Sequence, residues 1–333
     1  MKKLLTFLLS VLLLVSGAFA LVACGREKVM VYFPDGTPGL ALAQAITEGV
    51  SETNVTFKFE PVPATEIAGV VANGEADLAI MPTTAAATLY GKKNVKIQLM
   101  STNVFGNLYV VGYGENRAED LHGLVGKVVY YTTGTTVDMF RYIIDQTEGL
   151  EYAEMGNTSD VDPEKINLQQ ATEGSEIIAF MADAKKNNKE CYGVLGEPQV
   201  TACKAKVEGS DFIVDFQEEW KKLTGEEGYP QASLVVKSEF AENHADVAEA
   251  FANSLAGNAA WLENADNIAR FKQALKDGDY TSSLITAPIT AETVANCHLG
   301  FQKSSDIKQS VKDYVEILNK QDLDDGFFYT YSA

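Results

Sequence analysis

Short apolar strands alternate with short helices along most of this chain, and this alternation restricts the possible folds more than any other feature. The run 29–33 is β-branched and aromatic, which predicts a buried first strand, and a turn at 34–39 leads into a helix over 40–46. Similar pairs recur up to residue 100, and a second series occupies 127–214. Strands that alternate with helices indicate an α/β fold with a largely parallel sheet.

The two strand–helix series are followed by a mostly helical tail that makes no lobe of its own, which predicts a chain of two lobes. Each lobe would be a mostly parallel sheet flanked by helices. Lobe 1 would use residues 29–108 and 232–333, and lobe 2 would use 109–231. The cleft between the lobes would collect the carboxyl ends of strands and the starts of helices, where open α/β sheets bind ligands.

The first 23 residues have the order of a secretory signal: two lysines, an apolar stretch and a small-residue approach to a cleavage site. The apolar stretch is too short for a stable transmembrane span. Residues 21–24, Leu-Val-Ala-Cys, resemble the bacterial lipobox, which implies cleavage before Cys24 and a diacylglyceryl group on its thiol. Residues 24–28 would then be a lipid anchor and linker on the outer face of the cytoplasmic membrane, extracellular or periplasmic. The alternative is an ordinary signal peptide in which Cys24 is incidental.

The chain carries 46 acidic and 27 basic residues, which gives a net charge of −19 at neutral pH. The leader holds two of the basic residues and no acidic ones, so a mature chain would keep 25 basic against 46 acidic residues, a net charge of −21. Such a surface repels nucleic acid and anionic lipid, so neither is expected as a ligand. It does not restrict a small solute, because a local site can have the opposite sign.

Cysteine and histidine are few, and their spacing predicts neither a metal site nor a cofactor. The four cysteines are Cys24, Cys191, Cys203 and Cys297. If Cys24 is lipidated, no more than one intramolecular disulfide can form, and Cys191 with Cys203 could close a short loop. Free buried thiols are the equal alternative. The three histidines, at positions 122, 244 and 298, do not have the spacing of metal ligands.

Five short motifs follow one another along the mature chain. They are Asn-Gly-Glu-Ala-Asp-Leu-Ala-Ile at 73–80, Leu-Val-Gly-Lys-Val-Val at 124–129, Gly-Glu-Pro at 196–198, Tyr-Pro at 229–230 and Leu-Val-Val at 234–236. With the lipobox, their order resembles the extracellular substrate-binding proteins of ABC importers. The specific likeness is to the type II periplasmic-binding-protein fold of the nitrate/sulfonate/taurine and thiamine-pyrimidine-precursor group. It implies a monomeric, membrane-tethered, non-enzymatic receptor that closes over a small polar solute and delivers it to an ABC permease.

Three hydroxyl-rich helix starts are the first candidates for contact with a solute. The candidates are Gly36, Thr37, Thr83, Thr84, Gly134, Thr135 and Thr136. Helix starts attract anionic groups through free N–H groups and the helix dipole. The competing interpretation of each threonine is plain N-capping of its helix. The loops contain no arginine or lysine, which disfavours a small, fully charge-paired anion such as nitrate.

Aromatic and amide side chains near the same strand ends complete the candidate site. Phe33, Phe105 and Tyr131 could sandwich a flat ring, although aromatic residues in strands are more often core. Asn107 and Glu197 could bind an amine or ring N–H, although a glutamate there more often caps the next helix. The aromatic residues favour a pyrimidine-like heterocycle as solute, followed by an organic anion such as a sulfonate.

Two other functional classes remain open at this point. A secreted enzyme on the same fold is disfavoured, because the chain has no Gly-x-Ser-x-Gly elbow and its adjacent Cys297 and His298 lie in the tail. A lipoprotein that binds a protein partner independently of any solute is the other alternative. Product formation would favour the enzyme, whereas a cleft blocked by side chains of both lobes would favour the partner-binding protein.

Overall fold

The computed structural model describes residues 27–51, 53–156 and 160–332. The predicted signal peptide and the lipidation site at Cys24 lie outside the described residues. No helix within the described ranges is long and apolar enough to span a bilayer.

The first four strands begin lobe 1. They are β1 (Lys28–Pro34), β2 (Thr56–Val62), β3 (Leu78–Pro82) and β4 (Ile97–Val104). Strand β1 lies between β2 and β3 and is parallel to both, as the alternation of strands and helices predicts. Its buried positions alternate with less buried ones, so one face of the strand is covered more deeply than the other.

The next six strands form the sheet of lobe 2. They are β5 (Leu108–Tyr113), β6 (Val128–Tyr131), β7 (Tyr152–Glu154), β8 (Ile166–Gln170), β9 (Cys191–Gly196) and β10 (Asp211–Asp215). Their order is β10–β5–β9–β6–β8–β7. Strands β6 to β9 pair in parallel, whereas β5 is antiparallel to both of its neighbours.

The chain then returns to lobe 1 through β11 (Ala232–Lys237) and β12 (Leu299–Lys303), which completes a sheet of order β12–β4–β11–β3–β1–β2. Strand β11 inserts between β3 and β4 and is antiparallel to both. The two-lobed α/β fold is therefore confirmed. Both sheets are mixed, because β11 and β12 in lobe 1 and β5 in lobe 2 run against the other strands. At the junction, Gln231 N donates to Val104 O at 2.9 Å, so the chain leaves lobe 1 and re-enters it at neighbouring points.

Within the described residues, fourteen α-helices cover the two sheets. Lobe 1 begins with α1 (Thr37–Leu40), α2 (Ala43–Glu48), α3 (Ile67–Ala72) and α4 (Thr83–Tyr90). Lobe 2 contains α5 (Thr135–Gln146), α6 (Gly174–Lys186), α7 (Gln199–Lys206) and α8 (Phe216–Thr224). The remaining helices are α9 (Ser238–Asn243), α10 (Ala245–Ser254), α11 (Asn258–Leu262), α12 (Ala265–Asp277), α13 (Ala291–Asn296) and α14 (Ser304–Asn319).

Helix α8 shows how local chemistry sets the ends of these elements. Asp215 is its N-cap, and its carboxylate accepts hydrogen bonds from the N–H groups of Gln217 and Glu218. Gly225 ends the helix in the left-handed conformation that favours glycine. The buried face of the helix includes Phe216 and Trp220, which fixes α8 against the lobe boundary.

An aromatic cluster joins the lobes beside the crossing segments. Trp220 of α8, Tyr229 of the returning segment and Tyr314 of α14 lie with their ring centroids 5.7–5.8 Å apart. All three side chains are buried, and they belong to one apolar core that extends through both lobes. This cluster packs the hinge region, so any opening of the lobes must rearrange it or pivot around it.

The three described cysteines are free and buried. Cys191 and Cys203 pack in the same apolar cluster of lobe 2, so of the two alternatives the structure shows free thiols. No group of three or more His, Cys, Asp or Glu side chains in the described part of the chain could hold a metal ion.

Candidate functional site

The candidate site lies where the two sheets present their carboxyl ends to each other. Four loops meet there: β1 to α1, β3 to α4, β6 to α5, and β9 to α7. These loops carry most of the residues that the sequence singles out. Their side chains make direct hydrogen bonds between the lobes, so the described conformation is a closed one.

Thr37, Asn107 and Glu197 form the centre of the closed interface. The Thr37 hydroxyl donates to the main-chain oxygen of Glu197 at 2.6 Å. Asn107 Nδ2 donates to the Thr37 hydroxyl oxygen at 2.6 Å and to Glu197 O at 3.2 Å. All three residues are at most 5% exposed, so each polar group lost here would leave a partner unsatisfied. Three predicted site residues are thus brought together.

The Glu197 carboxylate accepts hydrogen bonds from residues of lobe 2 and from one residue of lobe 1. Its oxygens accept from Thr201 N at 3.0 Å and from the Thr201 hydroxyl at 2.9 Å, so it caps the start of α7. Asn296 Nδ2 of lobe 1 donates to the same carboxylate at 3.4 Å. Burial raises the pKa of Glu197, and the hydrogen bonds from Thr201 and Asn296 oppose that rise. The carboxylate therefore acts as a helix cap and as a link between lobes.

Two helix starts face each other across the boundary at α4 and α5. The hydroxyl oxygens of Thr84 and Thr135 are 2.8 Å apart. The N-cap positions are Pro82 for α4 and Gly134 for α5, and no side chain caps either helix. Neither Thr84 nor Thr135 is therefore an N-cap, in contrast to the competing interpretation. The first turns of both helices keep backbone donors directed towards the boundary.

Glycine precedes two of the four helix starts, where the backbone adopts a positive φ. Gly36 has φ = 109° before α1, and Gly134 has φ = 83° before α5. L-amino acids with side chains rarely adopt these values, so glycine is required at both positions. A Cβ on Gly36 would lie 4.0 Å from Pro198 of lobe 2, and a Cβ on Gly134 would meet nothing within 4 Å. Gly134 thus borders open space beside the closed contacts, and Thr136 nearby is half-buried.

Behind the α4 start, a buried hydroxyl network supports Thr83. Its hydroxyl lies 2.8 Å from the Ser233 hydroxyl, which in turn lies 3.0 Å from the Thr102 hydroxyl. All three residues are fully buried. Thr83 therefore fixes the position of the α4 start from within lobe 1, and Thr84 is the residue that reaches the other lobe.

The segment around α13 adds a second group of contacts between the lobes, which sequence reasoning missed. The hydroxyls of Thr293 and Thr201 lie 3.0 Å apart. The Tyr109 hydroxyl of lobe 2 donates to Asn296 O at 2.9 Å and lies 3.3 Å from His298 Nε2. Burial lowers the pKa of His298. No local motif marks these positions, because the tail reaches lobe 2 only through the tertiary fold.

The aromatic candidates are engaged within the protein. Phe33 is fully buried, and its ring packs so closely on Gly39 that a Cβ there would lie 3.0 Å from Phe33 Cε2. Phe105 is half-buried and packs on Gly300 in the same way, at 2.8 Å. Both rings are therefore packed against backbone of lobe 1, and contact of either ring with a solute stays a prediction.

Tyr131 has two partners within lobe 2. Its hydroxyl donates to Glu154 at 2.8 Å, and the Arg141 guanidinium lies 5.7 Å from the centre of its ring. Burial, together with Glu154, raises the pKa of Tyr131 to about 12. The Arg141 guanidinium therefore covers one face of the Tyr131 ring.

Comparison with known proteins gives a clear result for the fold. No family model matches the chain, and no curated protein matches it in sequence. A solved ABC transporter structure from Parabacteroides distasonis is 18% identical, with 92% of this chain and 100% of that chain covered and a TM-score of 0.68. The periplasmic aliphatic sulphonate binding protein SsuA from Escherichia coli is 11% identical, with 92% and 94% covered and a TM-score of 0.62.

A third solved structure is the ligand-binding component of an ABC-type import system from Staphylococcus aureus, determined with zinc bound. It is 10% identical, with 91% of this chain and 97% of that chain covered and a TM-score of 0.59. The likeness in each case runs through both lobes. This chain therefore has the two-lobed α/β fold of the periplasmic binding proteins.

Proposed function

We propose that this chain is the substrate-binding protein of an ABC importer, held on the outer face of the cytoplasmic membrane by a lipid on Cys24. It captures a small polar solute between its lobes as a monomer and delivers it to the permease. The observation that carries the proposal is the pair of uncapped helix starts at α4 and α5, which face each other across the lobe boundary. It is supported by the similar folds of an ABC transporter protein, of the ligand-binding component of an ABC-type import system and of a periplasmic sulphonate binding protein.

The chemistry at the lobe boundary favours a solute with an anionic group. Backbone N–H groups at helix starts and threonine hydroxyls are donors that suit a sulfonate or carboxylate. The loops at 34–39, 82–84 and 132–136 contain no lysine or arginine, so the donors there are neutral. An organic anion such as a sulfonate is therefore the first choice. A pyrimidine-like heterocycle is the second, because Phe33 and Tyr131 already pack against the protein.

Solute capture is tested by native mass spectrometry of the purified mature protein, followed by thermal unfolding with sulfonates and pyrimidines. A true solute copurifies or raises the unfolding temperature, since a ligand at a hundred times its Kd adds about 2.7 kcal/mol of stability. Thr135→Val should weaken that stabilisation. The matched control is Thr147→Val, because the Thr147 hydroxyl donates only to Ile143 O at the far end of α5.

Three results would contradict solute capture and would separate the alternatives. Conversion of the solute into product would support an enzyme. A protein that no solute stabilises and that copurifies with none would support the partner-binding lipoprotein. Equal stabilisation of the Thr135→Val and Thr147→Val variants would place the solute away from the helix starts.

The lipid anchor has an independent test. Cys24→Ser should move the protein from the membrane fraction to the soluble fraction, and the intact mass should lose the diacylglyceryl group. An unmodified Cys24 in the wild-type protein would contradict the anchor. That result would leave solute capture untouched, because the candidate site is built from loops of the two lobes and includes no residue of the leader.

A further inference from the structure

A buried acceptor at the centre of the closed interface has no donor. The Asn107 amide directs its Nδ2 at the Thr37 hydroxyl oxygen and at Glu197 O, 2.6 and 3.2 Å away. A reversed amide would place Oδ1 against Glu197 O with no proton between the two oxygens. The Asn107 side chain is therefore fixed in this orientation, and its Oδ1 is buried without a hydrogen-bond partner among the described residues. An acceptor of this kind, in a residue only 5% exposed, favours a donor from outside the chain.

Gly196, the first residue of the Gly-Glu-Pro motif, leaves room beside this oxygen. Its φ lies outside the left-handed range, so the backbone does not require glycine there. A Cβ on Gly196 would lie 3.3 Å from Asn107 Oδ1, and the next nearest group, Asn107 Nδ2, would be 3.4 Å away. That position is just outside the hydrogen-bond range of a nitrogen donor. Gly196 is half-buried, so a small solute group can approach Oδ1 from this side while the lobes are apart.

The residue after this glycine is a buried carboxylate with no cation beside it. Glu197 is 3% exposed, and its oxygens accept from neutral donors of Thr201 and Asn296. No lysine, arginine or histidine within the described ranges lies at ion-pair distance from it. Lys204 acts on it only from farther away and itself pairs with Asp211 at 3.0 Å. A buried carboxylate without a counter-ion favours a cation in its surroundings.

The order of the strands places these acceptors close to the helix starts that the proposed function assigns to an anionic group. In lobe 1, α1 follows β1, and α4 follows the neighbouring strand β3. In lobe 2, α7 follows β9, and α5 follows the neighbouring strand β6. Neighbouring strands lie about 5 Å apart. A solute that reaches both places would therefore carry its two polar groups about 5 Å apart, a span of about three carbon atoms.

We propose that Asn107 Oδ1, beside the carboxylate of Glu197, receives a protonated amine of the solute in the space that Gly196 leaves. The solute is then a short organic anion that also carries an amine. An ammonium has three donors and no acceptor, so it fills the free acceptor of Asn107 and offsets the charge of Glu197. The inference rests on the proposed function, because it adds a second group to the solute that the lobes capture.

Matched pairs of solutes test the amine directly. The purified mature protein is titrated by calorimetry with aminopropanesulfonate and propanesulfonate, and with γ-aminobutyrate and butyrate. The members of each pair have the same carbon chain and differ only in the terminal amine. In at least one pair, the aminated solute should bind at least about tenfold more tightly, the gain expected of a hydrogen bond to a charged group.

The pairs also separate this inference from the proposed function. Equal affinity within both pairs would overturn the amine subsite and would leave the capture of an organic anion standing. Absence of binding by all four solutes would overturn the amine subsite as well, and native mass spectrometry of the copurified solute would then still test the proposed function.

Two variants locate the amine within the site. Glu197→Gln keeps the shape of the side chain and removes its charge, and Gly196→Ala places a methyl group beside Asn107 Oδ1. Each should lower the ratio of the two affinities within a pair towards one. A general effect on lobe closure would not move this ratio, because it weakens both members of a pair alike.

Matched controls lie away from the lobe boundary. Glu148→Gln follows α5 at an exposed position, and Gly69→Ala lies in α3, where a Cβ would meet nothing within 4 Å. Both controls should keep the ratio of the wild type. A ratio that Glu197→Gln and Gly196→Ala leave unchanged, or that the controls lower equally, would overturn the proposal.

Discussion

The hydroxyl of Thr37 in lobe 1 donates a 2.6 Å hydrogen bond to the main-chain oxygen of Glu197 in lobe 2. The same hydroxyl oxygen accepts from Asn107, which lies between β4 and β5 where the chain crosses between lobes. One buried threonine therefore links both lobes and the hinge. The closed state depends on polar contacts that are lost as soon as the lobes separate.

Thr37→Val should favour the open conformation. Valine has a similar shape but removes a donor to Glu197 O and an acceptor for Asn107, which costs about 1–3 kcal/mol in the closed state only. Small-angle scattering should show a larger radius of gyration, and solute affinity should fall. Thr47→Val is the control, since the Thr47 hydroxyl donates within α2. An unchanged radius would mean that other contacts hold the lobes closed.

Glu197 should make stability depend on pH. Burial raises its pKa in the folded protein, so the folded state binds the proton more tightly than the unfolded state. The ionised carboxylate then costs folding free energy above the raised pKa, and this cost is lost as the pH falls through that pKa. As the pH falls from neutral through that raised pKa, the unfolding temperature of the wild type should rise relative to that of Glu197→Gln. A constant difference between the two proteins would contradict this.

Two tyrosines of the hinge cluster should respond in opposite ways to loss of the hydroxyl. The Tyr314 hydroxyl is buried and has no hydrogen-bond partner among the described residues, whereas the Tyr229 hydroxyl donates to Gln217 at 3.0 Å. Tyr314→Phe should raise the free energy of unfolding by about 1 kcal/mol, and Tyr229→Phe should lower it by a similar amount. Urea unfolding measures both. Destabilisation by Tyr314→Phe would reveal a partner for that hydroxyl.

Trp220 should report the opening of the lobes by fluorescence. The chain has two tryptophans, and the second, Trp261, lies within lobe 1. Trp220 packs against Tyr229 and Tyr314 at the boundary, so separation of the lobes would change its surroundings. In a Trp261→Phe background, the emission should shift when a solute binds. Thr37→Val should shift it in the opposite direction, and identical spectra in all states would show that the cluster stays fixed during opening.

The buried cysteines should be inert in the folded protein. Cys191, Cys203 and Cys297 are free, and burial raises the pKa of each thiol, so little reactive thiolate forms. A water-soluble thiol reagent should label them only after denaturant is added. Rapid labelling of one thiol under native conditions would identify a local opening. The extent of labelling is read by intact mass.

Local patterns were sufficient for most, but not all, of the regular elements of this fold. Helix α5 (Thr135–Gln146) lies within the second predicted strand–helix series, and its apolar residues repeat at helical spacing. Strand β12 was missed, since its residues are only half-buried and it forms by pairing with β4 at the edge of the sheet. A strand that depends on a distant partner leaves little local signal.

The candidate site was predictable to the extent that it follows strand ends. Thr37, Thr84 and Thr135 follow strands in sequence, and each makes a hydrogen bond across the lobe boundary. Their contact with a solute stays a prediction. The Tyr131 ring lies beside Arg141 of α5. Contact between Tyr131 and a solute in the cleft therefore stays a prediction. The contacts of Asn296 with lobe 2 depend on how the tail folds back, which no spacing in the sequence records.

The hydrogen bond between Gln231 N and Val104 O has a consequence for how specificity can change. The residues between Val104 and Gln231 form one continuous segment whose two ends are adjacent. Lobe 2 is therefore an insertion that could be exchanged as a unit. Such an exchange would replace one wall of the cleft, with Thr135 and Glu197, and would leave the lobe 1 sheet and its linker intact. One entry point and one exit point would therefore suffice to transplant the lobe 2 side of the proposed recognition surface.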